Sequence, residues 1–400
     1  MATTRPDDDD KALRAALDEL KQRSTPLSFL VVGSGHGGMA MAGYLGIKGH
    51  PVTLYNRTDN NLDGVRWHGG VKVSGAISGF GPVSRATAEM EEALEGVDIV
   101  MVVTPSTAHR ELASLMAPHL RDGQIIVLNP GRTGGALEYR ATIRAMSCAA
   151  RVLVAETQTF LFASRAVTRH EALIYRIKDS VPLATLPAHW IPPTLSILNG
   201  VFPQFVAGSN VLATSLENIG AVFHPALTIL NAGWIEATKG EFEYYLQGIT
   251  PAIASLLEKI DQERVAVAAA LGVRSVTARE WLYLSYGSSG SNLYEAIQHT
   301  VGYKGIKAPQ TINHRYIFED VPMSLVPIAS LGAYLGKRTP TIDMVIDLAN
   351  ILHGTDYRAR GRTVETLGLS GMSVKDINLF VAGHEAAPKR SGVKEKESGL

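Results

Sequence analysis

One stretch near the amino terminus constrains the fold of this chain more than any other. An apolar run, Phe29–Val32, is followed by glycines in G-x-G-x-x-G spacing, a helical pattern and a second apolar run, Val52–Tyr55. This order predicts a βαβ unit whose glycines permit a tight turn and whose helix start offers free N–H groups to a pyrophosphate. An ordinary glycine-rich turn is the alternative, since the chain has 38 glycines. The predicted dinucleotide contacts are Gly33, Ser34, Gly35, His36, Gly37 and Gly38.

The residues after the second apolar run indicate which dinucleotide binds. An NAD site usually places a carboxylate there for the ribose 2′-hydroxyl, whereas an NADP site supplies an arginine for the 2′-phosphate. Here the strand runs into Asn56, Arg57 and Thr58, so we predict contacts from these residues and favour NADP. Asp59 keeps NAD open, because a slightly longer strand would bring its carboxylate to the ribose.

Composition and charge exclude several classes of partner. The 38 basic and 38 acidic residues give no formal net charge, which offers no support for nucleic-acid or membrane binding. The single cysteine, Cys148, excludes intrachain disulfides and multi-cysteine metal sites, and no cluster of metal ligands is visible. We therefore expect a cytoplasmic protein without a metal. The sequence leaves the oligomeric state open, with a homodimer as one alternative.

Strands and helices alternate through the first half of the chain, which predicts an α/β fold with a parallel, doubly wound Rossmann-type sheet. Ligands bind at the carboxyl ends of the strands in such sheets, so polar residues there become candidate contacts. Each candidate fits an ordinary turn or helix start about equally well. The candidates are Thr104 and Pro105 for the cofactor, and Asn129 and Thr157 for the substrate.

Some local patterns predict elements with less regular sequences. We expect a helix over Ala86–Leu94, a hairpin over Ala172–Leu186 and a helix over Asn210–Leu230. The later helices are apolar on more than one face, which predicts an all-α domain. The predicted parts are a flexible segment or peripheral helix at 1–26, a dinucleotide-binding domain at 27–205, an all-α substrate domain at 206–383 and a disordered tail at 384–400.

The helical part contains polar residues that a simple core does not need. His224 lies in an apolar helical pattern directly before Pro225, which is expected to break the helix locally. Arg315, Glu319 and Asp320 form a second polar group further along the chain. A satisfied core histidine and a structural salt bridge are the simpler interpretations. Spacing cannot bring His224 to Asp320, because 95 residues lie between them.

The chain resembles the octopine and nopaline dehydrogenases, the opine dehydrogenase family, from about Leu27 to about Val381. The resemblance implies that His224 and Asp320 form a catalytic pair and that Arg315 binds a substrate carboxylate. It further implies NAD(P)-dependent condensation of an amino-acid amine with an α-keto acid, followed by reduction of the imine to a secondary amine. The motifs that carry it are GSGHGG, LNPGRTGGALEYR, NVLATSLENIGAVFHPALTILNAG, EYYLQGITP, RYIFEDVP and TVETLGLSG.

Two rival functions use the same scaffold. An NADP-dependent reductase of β-hydroxy acids or keto acids also pairs a Rossmann domain with a helical one. Such enzymes commonly use a lysine on the first helix of the second domain, and residues 210–235 contain none. The second rival, from a different class, is a non-catalytic nucleotide-sensing or scaffolding protein, and retention of the glycine motif and the three site residues argues against it. The acceptor, a keto acid or ketone, and the donor, an amino acid or simple amine, stay open.

Overall fold

A computed structural model of the chain describes residues 6–384, with side chains from Asp10 onward. The predicted disordered tail therefore lies outside the described residues, apart from its first residue. Twelve strands form two sheets within the described part. The strands are β1 Phe29–Val32, β2 Val52–Tyr55, β3 Gly70–Gly75, β4 Gly79–Pro82, β5 Arg85–Thr87, β6 Ile99–Val102, β7 Ile125–Leu128, β8 Leu153–Thr157, β9 Phe162–Ala166, β10 Glu171–Ile177, β11 Val181–Leu186 and β12 Phe205–Ala207.

The larger sheet has eight strands in the order β12-β11-β8-β7-β6-β1-β2-β5. All neighbours in it are parallel except β8 and β11, which are antiparallel. Every residue of β1, β2, β6 and β7 is buried, as expected for a sheet covered by helices on both faces. The predicted doubly wound Rossmann-type sheet is thus confirmed, with β11 and β12 at one edge running opposite to the other six strands. The boundary predicted between residues 205 and 206 falls within β12, so the sheet extends to Ala207.

The smaller sheet has the order β4-β3-β10-β9 and corrects one prediction. The hairpin expected over Ala172–Leu186 is wrong, because β10 pairs with β9 and β3 whereas β11 pairs with β8 in the larger sheet. The burial of the two strands explains the difference. Inward residues alternate along β10, whereas β11 is buried on both faces and belongs to the sheet interior.

Seven helices accompany the sheets. Helix α1 packs against α7 through Leu13, Leu17 and Leu20, which are buried, so the N-terminal segment contains a peripheral helix. The helix expected over Ala86–Leu94 is wrong in its first half, where β5 extends the larger sheet. These helices are α1 Pro6–Gln22, α2 His36–Ile47, α3 Asp63–His68, α4 Met90–Leu94, α5 His109–Met116, α6 Gly135–Ala145 and α7 Ile191–Leu198.

The rest of the described chain is helical, as predicted. Eleven α-helices and one π-helical turn, Val321–Leu325, form this part, and its core is continuous with one face of the larger sheet. The single helix expected over Asn210–Leu230 is interrupted between Leu216 and Gly220. No helix in residues 6–384 is both long and apolar enough to cross a bilayer. The helices are α8 Val211–Leu216, α9 Gly220–Leu230, α10 Ala232–Thr238, α11 Pro251–Ala270, α12 Ala278–Tyr286, α13 Leu293–Gln298, α14 Arg315–Phe318, α15 Val326–Tyr334, α16 Pro340–His353, α17 Tyr357–Arg360 and α18 Val374–Ala382.

Candidate active site

The turn between β1 and α2 has the geometry that a dinucleotide pyrophosphate requires. Gly33 has φ +109, a conformation that favours glycine, and a Cβ on Gly38 would overlap the Gly33 carbonyl oxygen. A Cβ on Gly35 would meet nothing within 4 Å, so the turn is open on that side. No side chain caps the N-terminus of α2, which leaves its N–H groups free for an anion. These residues therefore fit a bound dinucleotide.

Two of the other predicted contacts in this turn have structural partners. A Cβ on Gly37 would lie 2.9 Å from a Val103 methyl and 3.0 Å from the Phe160 ring, so close packing requires glycine there. The His36 ring accepts a hydrogen bond at Nδ1 from the Ala166 N–H, at 3.0 Å. Its imidazole is thus directed to β9, and only the backbone of His36 remains for a phosphate.

The residues after β2 form a small polar cluster. The Asn56 side chain accepts from the Ser34 N–H at 3.3 Å and donates to the Thr58 carbonyl and hydroxyl, each at 2.9 Å. The Arg57 side chain is 76% exposed and lies 3.4 Å from the carboxylate of Glu111. This surface guanidinium is free to turn toward a ligand, since exposed ion pairs are weak.

Asp59, the residue that kept NAD open, is occupied by another partner. It lies in a 3-10 turn, Asp59–Asn61, beyond the end of β2. Arg66 donates to its carboxylate at 2.6 Å, and this hydrogen bond lowers the pKa of the Asp59 carboxyl. β2 ends at Tyr55, as predicted. The Asp59 carboxylate lies beyond this strand and is directed to Arg66 of α3.

The predicted residues at the strand ends near the helical domain are largely buried. Asn129 donates to the Val127 carbonyl at 2.8 Å, and Thr157 donates to the Leu128 carbonyl at 3.3 Å. The buried oxygens Thr104 Oγ1 and Asn129 Oδ1 make no hydrogen bond within the described structure. These two oxygens are the better candidates for ligand contacts here, because a buried polar atom without a partner is costly. Pro105 precedes a 3-10 turn, Ser106–Ala108, at the same edge.

The fold brings His224 and Asp320 into contact, although they are far apart in the chain. His224 Nδ1 lies 2.8 Å from Asp320 Oδ2, where the carboxylate accepts the N–H. The helix expected to break at Pro225 continues through it. The His224 carbonyl accepts from the hydroxyl groups of Thr228 at 2.7 Å and of Tyr244 at 3.1 Å. The His224 side chain is 18% exposed and its Nε2 bonds to no described residue, so that nitrogen can meet a substrate.

Aromatic rings support the imidazole from one side. The ring of Tyr316 stacks on that of His224 with centroids 4.1 Å apart, and Tyr244 stacks behind Tyr316 at 5.4 Å. Burial is the main cause that raises the pKa of the Tyr316 phenol, which keeps it neutral near pH 7. The stack fixes the plane of the His224 ring.

Arg315 lies close to this pair but is mostly exposed. Its side chain is 55% exposed, and its Nε lies 3.6 Å from a carboxylate oxygen of Glu319. Glu319 itself is buried and accepts from both the backbone N–H and the hydroxyl of Ser106, each at 3.0 Å. Arg315 is therefore free to bind a ligand, whereas Glu319 links the helical domain to the turn after β6.

Arg132, which sequence reasoning did not select, lies beneath the His224–Asp320 pair. Its side chain is only 10% exposed, and its Nη1 lies 3.2 Å from Asp320 Oδ1. Burial raises the pKa of Asp320, but Arg132 and then the His224 hydrogen bond outweigh burial and bring this pKa below its ordinary value. Arg132 follows β7 in the quoted LNPGRTGG motif. The strand-end argument that selected Asn129 could have selected it too.

Another buried arginine fixes the loop that carries Arg132. Arg362 donates to the Glu138 carboxylate at 2.7 Å, to the Gly131 carbonyl at 2.9 Å and to the Thr133 carbonyl at 3.0 Å. Its side chain is fully buried. Nothing in the sequence marked this residue, because its partners lie more than 200 positions away.

Residues 6–384 contain no group of three or more histidine, cysteine, aspartate or glutamate side chains placed to hold a metal.

Comparison with known proteins gives the family. The profile of the NAD/NADP octopine/nopaline dehydrogenase alpha-helical domain matches residues 207–353, and that of the NAD-dependent glycerol-3-phosphate dehydrogenase N-terminus matches residues 28–131. An opine dehydrogenase of Arthrobacter sp. (strain 1C) is 39% identical over 355 residues, which are 88% of this chain and 98% of that protein. The chain belongs to the opine dehydrogenase family. The resemblance stated from its motifs is confirmed.

Solved structures agree with this assignment at the level of the fold. Octopine dehydrogenase in complex with NADH and agmatine superposes with a TM-score of 0.75 at 21% identity, over 90% of this chain and 99% of that one. Yersinopine dehydrogenase with NADP+ bound gives a TM-score of 0.67 at 15% identity, over 89% and 98%. This opine dehydrogenase family member is an NAD(P)-dependent oxidoreductase that acts on the CH–NH group of its donors.

Proposed function

We propose that this enzyme uses NADPH to condense the amine of an amino acid with an α-keto acid or ketone, giving a secondary amine. The amine nitrogen bonds to the carbonyl carbon, the carbonyl oxygen leaves as water, and the resulting imine is reduced. The bound nicotinamide supplies the hydride for that reduction. The observation that carries the proposal is the contact of 2.8 Å between His224 Nδ1 and Asp320.

His224 is proposed as the general acid and base. Because Asp320 accepts from Nδ1, the free Nε2 can give a proton to the carbonyl or carbinolamine oxygen and later recover one. Imidazole is a common general acid and base in enzymes that work near neutral pH. Asp320 holds the tautomer and stabilises the imidazolium by opposite charge.

Arg315 is proposed to bind a substrate carboxylate. Its guanidinium is exposed and held only by a distant contact with Glu319 at 3.6 Å, so it can turn toward the cleft. A guanidinium binds a carboxylate through two parallel N–H groups, which positions the reacting carbon as well as attracting it. Asn129 and Thr157 are the other proposed substrate contacts, and the unpaired Asn129 Oδ1 supports the former.

NADPH is proposed over NADH because of the residues after β2. Asn56 occupies the position where an NAD site has a carboxylate, and Arg57 follows it with an exposed side chain. The first acidic residue after β2 in the chain, Asp59, is bonded to Arg66. The fold itself accepts either cofactor, since the octopine dehydrogenase structure contains NADH and the yersinopine dehydrogenase structure contains NADP+.

The experiment that tests this function is oxidation of NADPH and of NADH, followed by absorbance, with a keto acid alone and then with a panel of amino acids and simple amines. We expect oxidation to require both a keto compound and an amine, and to be faster with NADPH. Oxidation with the keto compound alone, unchanged by any amine, would favour the hydroxy-acid or keto-acid reductase. The absence of lysine from residues 210–235 supports the first outcome.

A further inference from the structure

Arg132 lies buried between two acidic side chains of the helical domain. Its Nη1 is 3.2 Å from Asp320 Oδ1, and its Nε is 3.6 Å from a carboxylate oxygen of Glu319. The opposite oxygen of Asp320 accepts the Nδ1–H of His224 at 2.8 Å. The Asp320 carboxylate, which is completely buried, is therefore held between a permanent cation and the imidazole.

The backbone at Arg132 is fixed in an uncommon conformation. Its φ is +59, in the left-handed region that disfavours residues other than glycine. The carbonyls on either side, of Gly131 and Thr133, both accept from Arg362, and the Thr133 N–H donates to the Met323 carbonyl at 3.2 Å. Local strain that is held by surrounding contacts is common where a side chain must reach a functional site.

A buried carboxyl without a cation nearby tends to take up a proton. If Asp320 were protonated, it could no longer stabilise the imidazolium form of His224 by opposite charge. We propose that Arg132 is a positioning residue that keeps Asp320 ionised and thereby holds His224 in the tautomer and orientation needed for proton transfer. The kinetic part of this inference rests on the proposed function, whereas the ionisation of Asp320 does not.

The contact also joins the two domains. Arg132 follows β7 of the dinucleotide-binding domain, whereas Asp320 follows α14 of the helical domain. The acid–base pair of the helical domain thus depends on a residue from across the cleft. Separation of the domains would take the Arg132 guanidinium away from Asp320, so the ion pair exists only when the domains are together.

A direct contact with substrate is the competing role for Arg132. A Cβ on Gly220 would lie 3.1 Å from Arg132 Nη1 and 3.3 Å from His224 Cε1, so only a glycine separates the guanidinium from the imidazole. The contact with Asp320 is an ion pair without hydrogen-bond geometry, since Asp320 Oδ1 makes no hydrogen bond.

Other titratable or charged groups also interact electrostatically with Asp320, His224 or Arg132. They are Arg315, Glu319, Tyr316, Tyr244, His314, His109 and Lys178.

The first test measures the ionisation of the Asp320 carboxyl without any enzymatic turnover. The full chain, free of cofactor, is labelled at aspartate ¹³Cγ, and the Asp320 signal is assigned by its loss in Asp320→Asn. In Arg132→Met we expect the titration midpoint of Asp320 to rise by about 1–3 pH units. Arg132→Lys keeps a charge and should give a smaller rise, and it serves as the comparison if the methionine variant does not fold. An unchanged midpoint in a folded Arg132 variant would overturn the proposal.

The second test separates positioning from substrate binding. We expect Arg132→Met to lower kcat and to move the acid limb of its pH profile upward by about 1–3 units relative to the native enzyme. Arg315→Met removes a nearby exposed charge and should mainly raise KM for the keto acid. In the Asp320→Asn background, Arg132→Met should cause little further loss of kcat. A rise in KM for the keto acid without a shifted acid limb would instead make Arg132 a substrate contact.

Discussion

Two regions of the candidate site differ in how far they are assembled before any ligand binds: the helical wall, which carries His224 and Asp320, and the cofactor wall, which carries the glycine turn and Arg57. On the helical wall, Asp320 is completely buried and His224 is held by a carboxylate, a stacked ring and its own helix. On the wall that would hold the adenosine end of the cofactor, Arg57 is 76% exposed and has one long surface ion pair. The proposed acid–base pair is thus fixed in advance, whereas Arg57, the proposed contact to the 2′-phosphate, depends on the ligand for its partner.

This difference predicts separable effects of mutation. Changes to His224 and Asp320 should alter kcat and leave cofactor binding intact, because neither side chain bonds to a residue of the glycine turn. Changes at the glycine turn and after β2 should alter cofactor affinity and leave kcat at saturating cofactor nearly native. The following variants test that separation.

The largest effect is expected from His224→Ala. Loss of the general acid and base should lower kcat by about 10²–10⁴-fold, while NADPH affinity measured by fluorescence stays native. His50→Ala is the matched control, because the His50 ring bonds to the Leu27 carbonyl and packs edge-on against the Phe29 ring, at the end of β1 opposite the glycine turn. A loss of less than tenfold for His224→Ala would contradict the assigned role.

Two glycines of the turn separate folding from cofactor binding. In Gly38→Ala the new Cβ would overlap the Gly33 carbonyl oxygen, so we expect a loss of about 1–3 kcal/mol of stability, measured by denaturant unfolding. In Gly35→Ala the Cβ enters open space, so stability should stay native. NADPH affinity of this second variant should fall by roughly 10–100-fold, since the methyl prevents close approach of the pyrophosphate to the backbone N–H groups. Native affinity in Gly35→Ala would show that the cofactor lies elsewhere.

A smaller and more selective effect is expected from Arg57→Ala. Removal of a charged hydrogen bond to the 2′-phosphate should weaken NADPH binding by roughly 10–100-fold and leave NADH binding nearly unchanged. Lys48→Ala is the control, because Lys48 lies at the C-terminus of α2, the end away from the glycine turn. Equal changes for the two cofactors would refute the NADP preference.

The smallest effect is expected from Glu111→Gln. Glu111 lies 3.4 Å from Arg57 in an exposed pair, so its neutralisation frees the guanidinium for the 2′-phosphate. NADPH affinity should rise by about two- to fivefold, and high salt should remove the gain. A fall in affinity would mean that Glu111 orients Arg57 for the cofactor.

Local signals predicted the first βαβ unit with the bounds that the structure has. β1 and β2 coincide with the two apolar runs, because a buried parallel strand needs a continuous apolar segment and the glycine spacing fixes the turn between them. The hairpin over Ala172–Leu186 could not be rejected in this way. β9 directly precedes β10, but β3 and β8, which pair with β10 and β11, lie earlier in the chain and leave no trace in local periodicity.

The candidate site shows the same limit. Spacing could not place His224 beside Asp320, and their pairing was expected only from the family resemblance. Arg132 was overlooked although it follows β7, since a basic side chain in an Asn-Pro-Gly turn is expected to lie in solvent, and only the helical domain buries it. Its burial is a property of the domain contact, which the sequence pattern of either domain alone does not contain.

The most direct test of the central claim is mass spectrometry of the product formed with NADPH that carries deuterium at the transferred position of the nicotinamide. With a keto acid and an amino acid present, we expect a secondary amine with one deuterium on the former carbonyl carbon, formed about 10²–10⁴-fold more slowly by His224→Ala. Deuterium found only in a hydroxy acid, with the amino acid unchanged, would contradict it.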